Sequence, residues 1–344
     1  MNTTSKWIVG IIVVLLVVWG GYSYFKKPVS NEPIKIGFIG ALSGDAAAFG
    51  ETEKNIISLA VGDINQNGGI NGRLIEMIYE DGKCTGKEAT NAVQKLVGID
   101  EIKIILGGTC SAETLAAAPI AEENKVILFS GFSSNPGITN AGDYIFRNSP
   151  SDSDVAKLDA EVITKKYKKV AMLSENTDYS LGVRDVMKKV FAEQNVSVVS
   201  DEVYNSSVSD FRTVLSKIKA SDAEVLYINP GTSTKIGGVM VKQAKELGIQ
   251  IPIHGNFSLG IPDALAAGGQ FMNGVVISDT SDQTSKLKDL LSRYKDTFSS
   301  EPAHDFLVGA AWDRVNIIRD ALMKVGYNPD RIKSYLYGIK NYDG

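Results

Sequence analysis

The chain has 344 residues, of which 44% are hydrophobic and 22% charged, and its formal net charge is -4. This length is enough for two globular domains. The slightly acidic balance provides no basic surface of the kind that nucleic-acid binding requires, so nucleic acid is excluded as a partner. A small molecule or another protein is expected instead.

The N-terminal segment is apolar enough to reach the membrane. Trp7 to Phe25 contains 19 residues without a charge, flanked by Lys6 and by Lys26-Lys27. As a helix it would extend roughly 28 Å, close to the thickness of the hydrocarbon core. This length favours an uncleaved anchor over a cleaved signal peptide, whose apolar core is shorter. Residues 1–33 are therefore interpreted as membrane segment and linker, and the chain from Ile34 onward as extracytoplasmic.

From Ile34 onward, short β-rich runs alternate with patterns typical of amphipathic helices. IKIGFIG, RLIEMIYE, IKIILGG and VILFS are separated by apolar stripes of helical period, and the alternation restarts after SPSDSD with KKVAMLS, VSVVSDEVY, AEVLYIN and IPIHG. Such alternation predicts βαβ units. The fold class is therefore α/β, with two doubly wound parallel sheets and a ligand crevice at the carboxyl ends of their strands.

Two familiar kinds of site do not fit the sequence. The glycines of GFIGALSG follow the first strand but lack the G-x-G-x-x-G spacing of a dinucleotide site. His254 and His304 are the only histidines, 50 positions apart, and no metal-ligand spacing surrounds them. We expect neither a cofactor nor a metal.

The two cysteines allow two interpretations. Cys84 follows the second strand and Cys110 the third. We expect these strands to be neighbours in the parallel sheet, so that both thiols emerge at one edge. A disulfide there closes 27 residues, worth roughly 3.5 kcal/mol in the chain-entropy model, and is the favoured interpretation. The alternative is a cysteine-dependent hydrolase with Cys110 as nucleophile and a histidine as base.

Ser111 opens an alanine-rich helix directly after the third strand. A serine at the N-cap, together with the first backbone N–H groups, binds anions, and the helix dipole adds about 0.3 to 1 kcal/mol. An ordinary cap is the alternative. A second polar turn, SGFSSNPG, follows the next strand, so hydroxyl groups at adjacent strand ends predict a site for a carboxylate.

The ordered series IGFIGALSGDAAAFG, GGINGRLIEMIYEDGKC, LGGTCSAETLAAAP, YIFRNSPSDSD, SENTDYSLG and AAWDRVNIIRDAL resembles the type I periplasmic solute-binding proteins. Its closest likeness is to the leucine/isoleucine/valine-binding receptors of ABC transporters. The resemblance implies two lobes that close on a ligand, with residues 34–149 and 281–335 in lobe 1 and 150–280 in lobe 2. Residues 336–344 would begin a further interlobe crossing, before the chain stops.

The same resemblance assigns residues to the site. Ser111 would hold the ligand carboxylate, Ser134 both carboxylate and ammonium, and the Phe132 carbonyl the ammonium. Tyr179 would close from the second lobe over the ligand. The full implied ligand-binding set is Phe49, Ser111, Phe132, Ser133, Ser134, Tyr179 and Asn256, and the implied disulfide joins Cys84 and Cys110.

Two positions depart from the family pattern. Where amino-acid receptors carry an acidic residue for the ammonium, HGNFSLG places Asn256 or Phe257. Gly231 and Thr232 stand where a second-lobe aromatic residue is expected. A neutral amide binds an ammonium less strongly than a carboxylate does, because charge-assisted bonds are roughly twice as strong.

The sequence thus predicts a receptor rather than an enzyme. It would be anchored to the membrane by its N-terminal helix and would deliver a small carboxylate-bearing ligand, such as a branched-chain amino acid, to the permease subunits of an ABC transporter. A ligand-sensing domain of the same fold is the first alternative. The thiol hydrolase is the second, and free thiols would favour it.

Overall fold

The computed structural model describes residues 32–231, 233–279 and 284–344. The predicted membrane segment, Trp7 to Phe25, and Thr232 lie outside the described residues. Within the described part of the chain, no helix combines the length and the apolar character needed to cross a membrane.

The first sheet is parallel throughout and has the strand order β2-β1-β3-β4-β5. Its strands are β1 (Ile34–Gly40), β2 (Ile75–Asp81), β3 (Ile104–Gly107), β4 (Ile127–Ser130) and β5 (Ile145–Arg147). The helices between them are α1 (Ala47–Gln66), α2 (Gly86–Gly98) and α3 (Ser111–Glu123).

The second sheet is also parallel, in the order β10-β9-β8-β6-β7. Its strands are β6 (Lys169–Glu175), β7 (Ser197–Tyr204), β8 (Val225–Asn229), β9 (Ile253–Gly255) and β10 (Val276–Ile277). The helices of this lobe are α4 (Asp152–Thr164), α5 (Asp178–Glu193), α6 (Arg212–Ala220), α7 (Ile236–Glu246) and α8 (Pro262–Gly268).

Three helices follow the second sheet and complete the first lobe. They are α9 (Ser285–Phe298), α10 (Asp305–Val325) and α11 (Pro329–Tyr337). Apolar side chains of α10 and α11 join the core formed by Ile36, Phe38 and Ile104 on one face of the first sheet. The chain therefore returns to the first lobe after building the second.

The central strands β1, β3 and β4 of the first sheet are buried on both faces, as the continuous apolar runs predict. Phe38 belongs to the core shared with α10, whereas Ile39 belongs to the opposite core under α2 and α3. Ile104 and Ile105 alternate in the same way. This period of two allows helices to cover both faces and leaves the carboxyl ends of the strands for a site.

One expectation about neighbouring strands is wrong. β2 and β3 are not adjacent, because β1 lies between them and pairs with both. The segments that follow β2 and β3 nevertheless come together above the end of β1. The lobe boundaries and the further crossing at 336–344 stay predictions; the end of the chain packs beside α9, with Lys286 Nζ 3.0 Å from a carboxylate oxygen of Asp343.

Candidate ligand-binding cleft

A cavity opens between the carboxyl ends of the two sheets. It encloses about 510 Å³ of space free of atoms, including its mouth. Both lobes line it: Phe49, Cys84, Thr109, Cys110, Ser111, Ala112, Phe132 and Ser134 from the first, and Thr177, Asp178, Tyr179, Gly231 and Phe257 from the second. Most of the predicted ligand-binding residues thus meet around one space, and Ser133 and Asn256 are the exceptions.

The first turn of α3 faces this cavity. Cys110 is the N-cap and Ser111 the first helical residue, so the prediction that Ser111 caps the helix is wrong by one position. The N–H groups of Glu113 and Thr114 bond to the Cys110 carbonyl. Those of Ser111 and Ala112 have no acceptor one turn earlier, since the helix has only begun. The cavity therefore meets backbone donors at the positive end of a helix dipole.

Ser111 is almost fully buried, with 2% of its surface exposed. Its Oγ accepts a hydrogen bond from the backbone N–H of Asn135 at 3.2 Å. That bond occupies a lone pair and leaves the hydroxyl hydrogen free. Ser111 can thus donate to an anion in the cavity.

Glu113 supports the start of α3 from behind. Its carboxylate accepts the backbone N–H groups of Cys110 and Cys84, each at 2.9 Å. Burial raises the pKa of Glu113 to about 7, although both bonds act in the opposite direction and the Glu53 charge adds to the rise. The sequence placed Glu113 in the first turn but gave no sign that it links two separate segments.

A disulfide joins Cys84 to Cys110, with 5.2 Å between the Cα atoms. The disulfide interpretation is therefore confirmed. The chain contains two cysteines, and both are in this bond, so Cys110 has no thiol with which to attack a substrate. The cysteine-dependent hydrolase is not supported.

The turn after β4 contains two serines with different roles: one bonds within the lobe and the other lines the cavity. Ser133 is 1% exposed, and its hydroxyl donates to the Gly108 carbonyl at 2.9 Å and lies 2.7 Å from Thr114 Oγ1. Ser133 therefore holds two strand ends together and does not line the cavity. Ser134 lines it, and its hydroxyl donates to Asp152 Oδ2 at 3.0 Å.

Asp152 lies in the first turn of α4 and is 4% exposed. Burial raises its pKa to about 7, and the Ser134 hydrogen bond and the Arg147 charge offset part of that rise. The sequence marked SPSDSD only as the boundary between units. The acidic residues of that segment were the only feature of the sequence that could have pointed to Asp152 as a neighbour of the site.

Aromatic rings form the apolar wall of the cavity. Phe132 of the first lobe lies 5.4 Å from Phe49 and 5.5 Å from Phe257, measured between ring centroids. Phe257 also lies 6.1 Å from Tyr179. Such spacings are those of favourable edge and tilted contacts. Sequence analysis placed either Asn256 or Phe257 where amino-acid receptors carry an acidic residue. Of these two, Phe257 lines the cavity.

Asn256 supports Tyr179 and is not among the residues that line the cavity. Its side-chain N–H₂ group contacts the Tyr179 hydroxyl at 3.3 Å and donates to Asn229 Oδ1 and the Pro230 carbonyl, each at 2.8 Å. Its Oδ1 accepts from Ser258. The hydrogen-bonding groups of the Asn256 amide are thus used by partners within the second lobe.

A second helix start faces the cavity from the opposite side. α5 is capped by Thr177, whose Oγ1 accepts the Ser180 N–H at 3.2 Å. Thr177, Asp178 and Tyr179 all line the cavity. Two helix N-termini, one from each lobe, therefore converge on the same space. The Asp178 carboxylate offsets the positive end of α5, so the start of α3 is the end that favours a negatively charged ligand group.

A buried ion pair lies beneath the site. Arg314 of α10 and Glu53 of α1 are both 0% exposed, and Arg314 Nη2 lies 2.7 Å from Glu53 Oε1. Arg314 also donates to the Phe129 carbonyl at 3.0 Å. The other Glu53 oxygen accepts the hydroxyl of Thr109, which lines the cavity. No pattern in the sequence connected these residues.

The lobes touch beside the cavity. Asn135 of the first lobe donates from Nδ2 to the backbone carbonyl of Asp178 in the second. Gly182 of α5 lies under this contact: a Cβ at that position would lie 2.6 Å from Asn135 Nδ2. The absence of a side chain at Gly182 thus permits the close approach.

Comparisons with known proteins agree with this geometry. Residues 33–344 match the family model described as periplasmic binding protein. The chain belongs to this family. Among curated relatives of this periplasmic binding protein, the leucine-, isoleucine-, valine-, threonine- and alanine-binding protein of Pseudomonas aeruginosa is 26% identical over 90% of the chain and 83% of the relative. An amino acid binding protein of the same species is 31% identical over 72% and 67%.

Solved structures place it in the leucine/isoleucine/valine-binding branch of the type I fold. LivJ of Streptococcus pneumoniae in complex with isoleucine has a TM-score of 0.79 and 28% identity, covering 91% of this chain and 90% of that one. The leucine-binding protein LivK of Thermotoga maritima shares the fold, with a TM-score of 0.80, 24% identity and coverage of 90% and 88%. The family is extracytoplasmic, and its members are substrate-binding receptors.

Proposed function

We propose that this protein is the receptor of an ABC transporter and captures an amino acid between its two closing lobes. The observation that carries the proposal is the first turn of α3, where the free Ser111 hydroxyl and the N–H groups of Ser111 and Ala112 meet the cavity. A carboxylate there receives several donors at the positive end of a helix. The dipole contributes about 0.3 to 1 kcal/mol, and up to ~2 kcal/mol when the site is partly buried.

The second lobe contributes the other half of the site. The start of α5 brings Thr177, Asp178 and Tyr179 to the same cavity, so lobe closure adds polar groups from the second lobe to those of α3. Tyr179 lines the cavity, and its hydroxyl lies 3.3 Å from the Asn256 amide nitrogen, which holds the ring of Tyr179 within the second lobe. Ligand binding and closure are therefore coupled.

The relatives support an amino acid as the ligand, since their names specify leucine, isoleucine and valine. The predicted Trp7–Phe25 helix would tether the receptor beside its permease. No catalytic step is proposed: the polar lining consists of hydroxyl groups, backbone N–H groups and the Asp178 carboxylate, and both cysteines are in the disulfide.

The aromatic wall favours a second candidate ligand class. Phe49, Phe132 and Phe257 surround the space with apolar rings, and a carboxylic acid with an apolar body and no ammonium would suit them. Such a ligand would use the same carboxylate contacts at α3. The two classes differ only in the cationic group.

The test is calorimetry of the full chain in detergent against leucine, isoleucine, valine and their carboxylic-acid analogues without ammonium. Ser111→Ala should weaken binding of the preferred ligand at least about fivefold, because it removes a hydrogen bond to a charged group. Ser216→Ala is the control, since Ser216 lies exposed on α6 and bonds to the Arg212 carbonyl. Absence of binding to every compound, or an unaffected Ser111→Ala variant, would refute the proposal.

A further inference from the structure

Four aromatic rings from both lobes border the cavity, and together they are called the aromatic cage here. Phe49 and Phe132 belong to the first lobe, and Tyr179 and Phe257 to the second. The Phe132 ring centroid lies 5.4 Å from that of Phe49 and 5.5 Å from that of Phe257. Phe257 lies 6.1 Å from Tyr179. A ligand group in the cavity therefore meets several rings at once, and only closed lobes bring all four together.

The second-lobe rings of the cage are supported from behind. Phe257 lies edge-on to the ring of His304, with 5.1 Å between the centroids and 83° between the planes. The backbone of Gly231 packs against the other ring, since a Cβ at that position would lie 3.0 Å from Tyr179 Cδ1. The cage is thus a fixed wall, which lowers the ordering cost of binding.

The charges around the cavity have both signs, at separate places. Among the described residues that line it, Asp178 carries the only charged side chain, and it is negative. The positive charge comes from the first turn of α3, where backbone N–H groups meet the cavity. A ligand with a carboxylate at one end and a cation at the other complements this arrangement, because each charge then meets its opposite.

The aromatic cage selects the kind of cation. The face of an aromatic ring attracts a cation through its quadrupole, within about 6 Å of the centroid. A primary ammonium has three N–H donors, and the carbon rings of the cage give them no oxygen or nitrogen acceptor, so its burial among them is costly. A quaternary ammonium has no N–H group, and its methyl groups pack against the rings. Aromatic cages are a known means of recognising such groups.

We propose, building on the receptor function, that the ligand is a quaternary-ammonium carboxylate, which is an amino acid whose nitrogen is fully methylated. The methylated cation lies in the aromatic cage, and the carboxylate lies at the first turn of α3. Asp178 adds a negative charge at the second-lobe side without needing a hydrogen bond to the ligand. The carboxylate contact is that of the proposed function, and the methylated cation is what this inference adds.

The test compares two compounds of nearly the same shape. Glycine betaine and 3,3-dimethylbutanoate have the same carboxylate and the same three methyl groups, and differ in whether a positive nitrogen or a neutral carbon carries those methyl groups. Calorimetry of the full chain in detergent measures the affinity for each, with leucine as the third compound. The wild type should bind glycine betaine about tenfold more tightly than 3,3-dimethylbutanoate, because the neutral compound lacks the cation–π attraction.

Two variants remove single rings of the cage. Phe257→Leu and Phe132→Leu each retain an apolar side chain but lose the π face. Each should reduce the preference for glycine betaine at least about threefold, and 3,3-dimethylbutanoate should be affected less. The two substitutions lie in different lobes, so the measurement does not depend on the folding of one variant.

Phe298→Leu is the matched control. Phe298 ends α9, is partly buried, and has its ring 5.0 Å from that of Tyr294, so it also takes part in an aromatic pair. It is not among the residues that line the cavity. This variant should retain the wild-type preference for glycine betaine.

The outcomes separate this inference from the function on which it rests. A preference for glycine betaine that falls in both cage variants and persists in Phe298→Leu supports it. Equal wild-type binding of glycine betaine and 3,3-dimethylbutanoate, or tighter binding of leucine, overturns it and leaves the receptor function intact. A preference that survives either cage variant, or is lost equally in Phe298→Leu, also overturns it. Binding of none of the three compounds refutes the receptor function for these ligands, and the inference with it.

Discussion

At the scale of single residues, Glu113 links the helix start to the disulfide loop at an electrostatic cost. Its side chain is 0% exposed and accepts N–H groups from both Cys84 and Cys110. Burial raises its pKa from 4.5 to about 7. The folded state therefore binds this proton more tightly than the unfolded chain does. The stability that comes from this protonation is present below about pH 4.5 and is lost as the pH rises toward 7.

Glu113→Gln should remove this pH dependence. Between pH 4.5 and 8 the free energy of unfolding of the wild type should fall by roughly 2 to 3 kcal/mol relative to the variant. Urea unfolding across this pH range measures the difference. Glu123→Gln, at an exposed position of the same helix, should leave the wild-type slope unchanged. Parallel curves for wild type and Glu113→Gln would contradict the assignment.

Individual site residues were predictable where the signal was local. Ser111 and the polar turn that contains Ser134 follow strand ends, whereas Tyr179 came from the family resemblance; the structure places all three at the cavity. Asp152 was not predicted as a site residue, because its role depends on a hydroxyl 18 positions away that only the fold brings near. Ser133 and Asn256 were predicted as ligand contacts, yet their polar groups are used within the lobes, which no sequence spacing indicates.

At the scale of elements, the disulfide fixes the start of α3 to the loop after β2. The two cysteines are 26 positions apart in the sequence. The chain-entropy model gives such a loop roughly 3.5 kcal/mol of stabilisation. Reduction should lower the free energy of unfolding by about that amount, and a Cys84→Ser/Cys110→Ser double variant should resemble the reduced protein. Equal urea midpoints for oxidised and reduced protein would contradict the expectation.

The elements themselves were largely readable from the hydrophobic pattern, whereas their starts and neighbours were not. The alternation of patterns predicted a helix between the first two strands but not where it starts, and α1 begins at Ala47. Its N-cap, Ala46, makes no side-chain hydrogen bond, so no capping residue marked the start. The position of β1 between β2 and β3 was missed because strand order depends on the crossover connections and not on periodicity.

At the scale of the whole molecule, we expect the close interlobe contact at Gly182 to restrain the closed state. A methyl group there would meet Asn135 Nδ2 at 2.6 Å, so Gly182→Ala should hold the lobes apart by displacing the Asn135 bond to the Asp178 carbonyl. Ligand dissociation should become about tenfold faster, as one interlobe hydrogen bond and its packing are lost. Stopped-flow fluorescence of the Tyr-lined cleft would measure it.

Gly62→Ala is the control for this variant. Gly62 is also helical, in α1, and a Cβ there would have no atom within 4 Å. The substitution should leave ligand dissociation unchanged and stabilise the fold by up to about 1 kcal/mol, since alanine favours helix over glycine. Equal dissociation rates in both variants would show that the Gly182 contact does not restrain the closed state.

The two-sheet plan was predictable because each sheet produces its own series of repeated strand and helix patterns. The return of α10 and α11 to the first lobe was not visible in those patterns. It came from the resemblance to a family, and the contacts of Val315 and Ile318 with the first sheet give its physical reason, which is an apolar face that the five strands would otherwise expose.

The convergence of the α3 and α5 starts also has a consequence for the unloaded receptor. When the lobes shut, the Asp178 carboxylate offsets the positive end of α5, whereas the positive end of α3 has no counter-charge at the cavity until an anion binds. The bound ligand anion thus acts as the counter-ion of the helix start that holds it. A transporter that recognises only the closed form would then seldom be engaged by an unloaded receptor, because the unloaded receptor seldom closes.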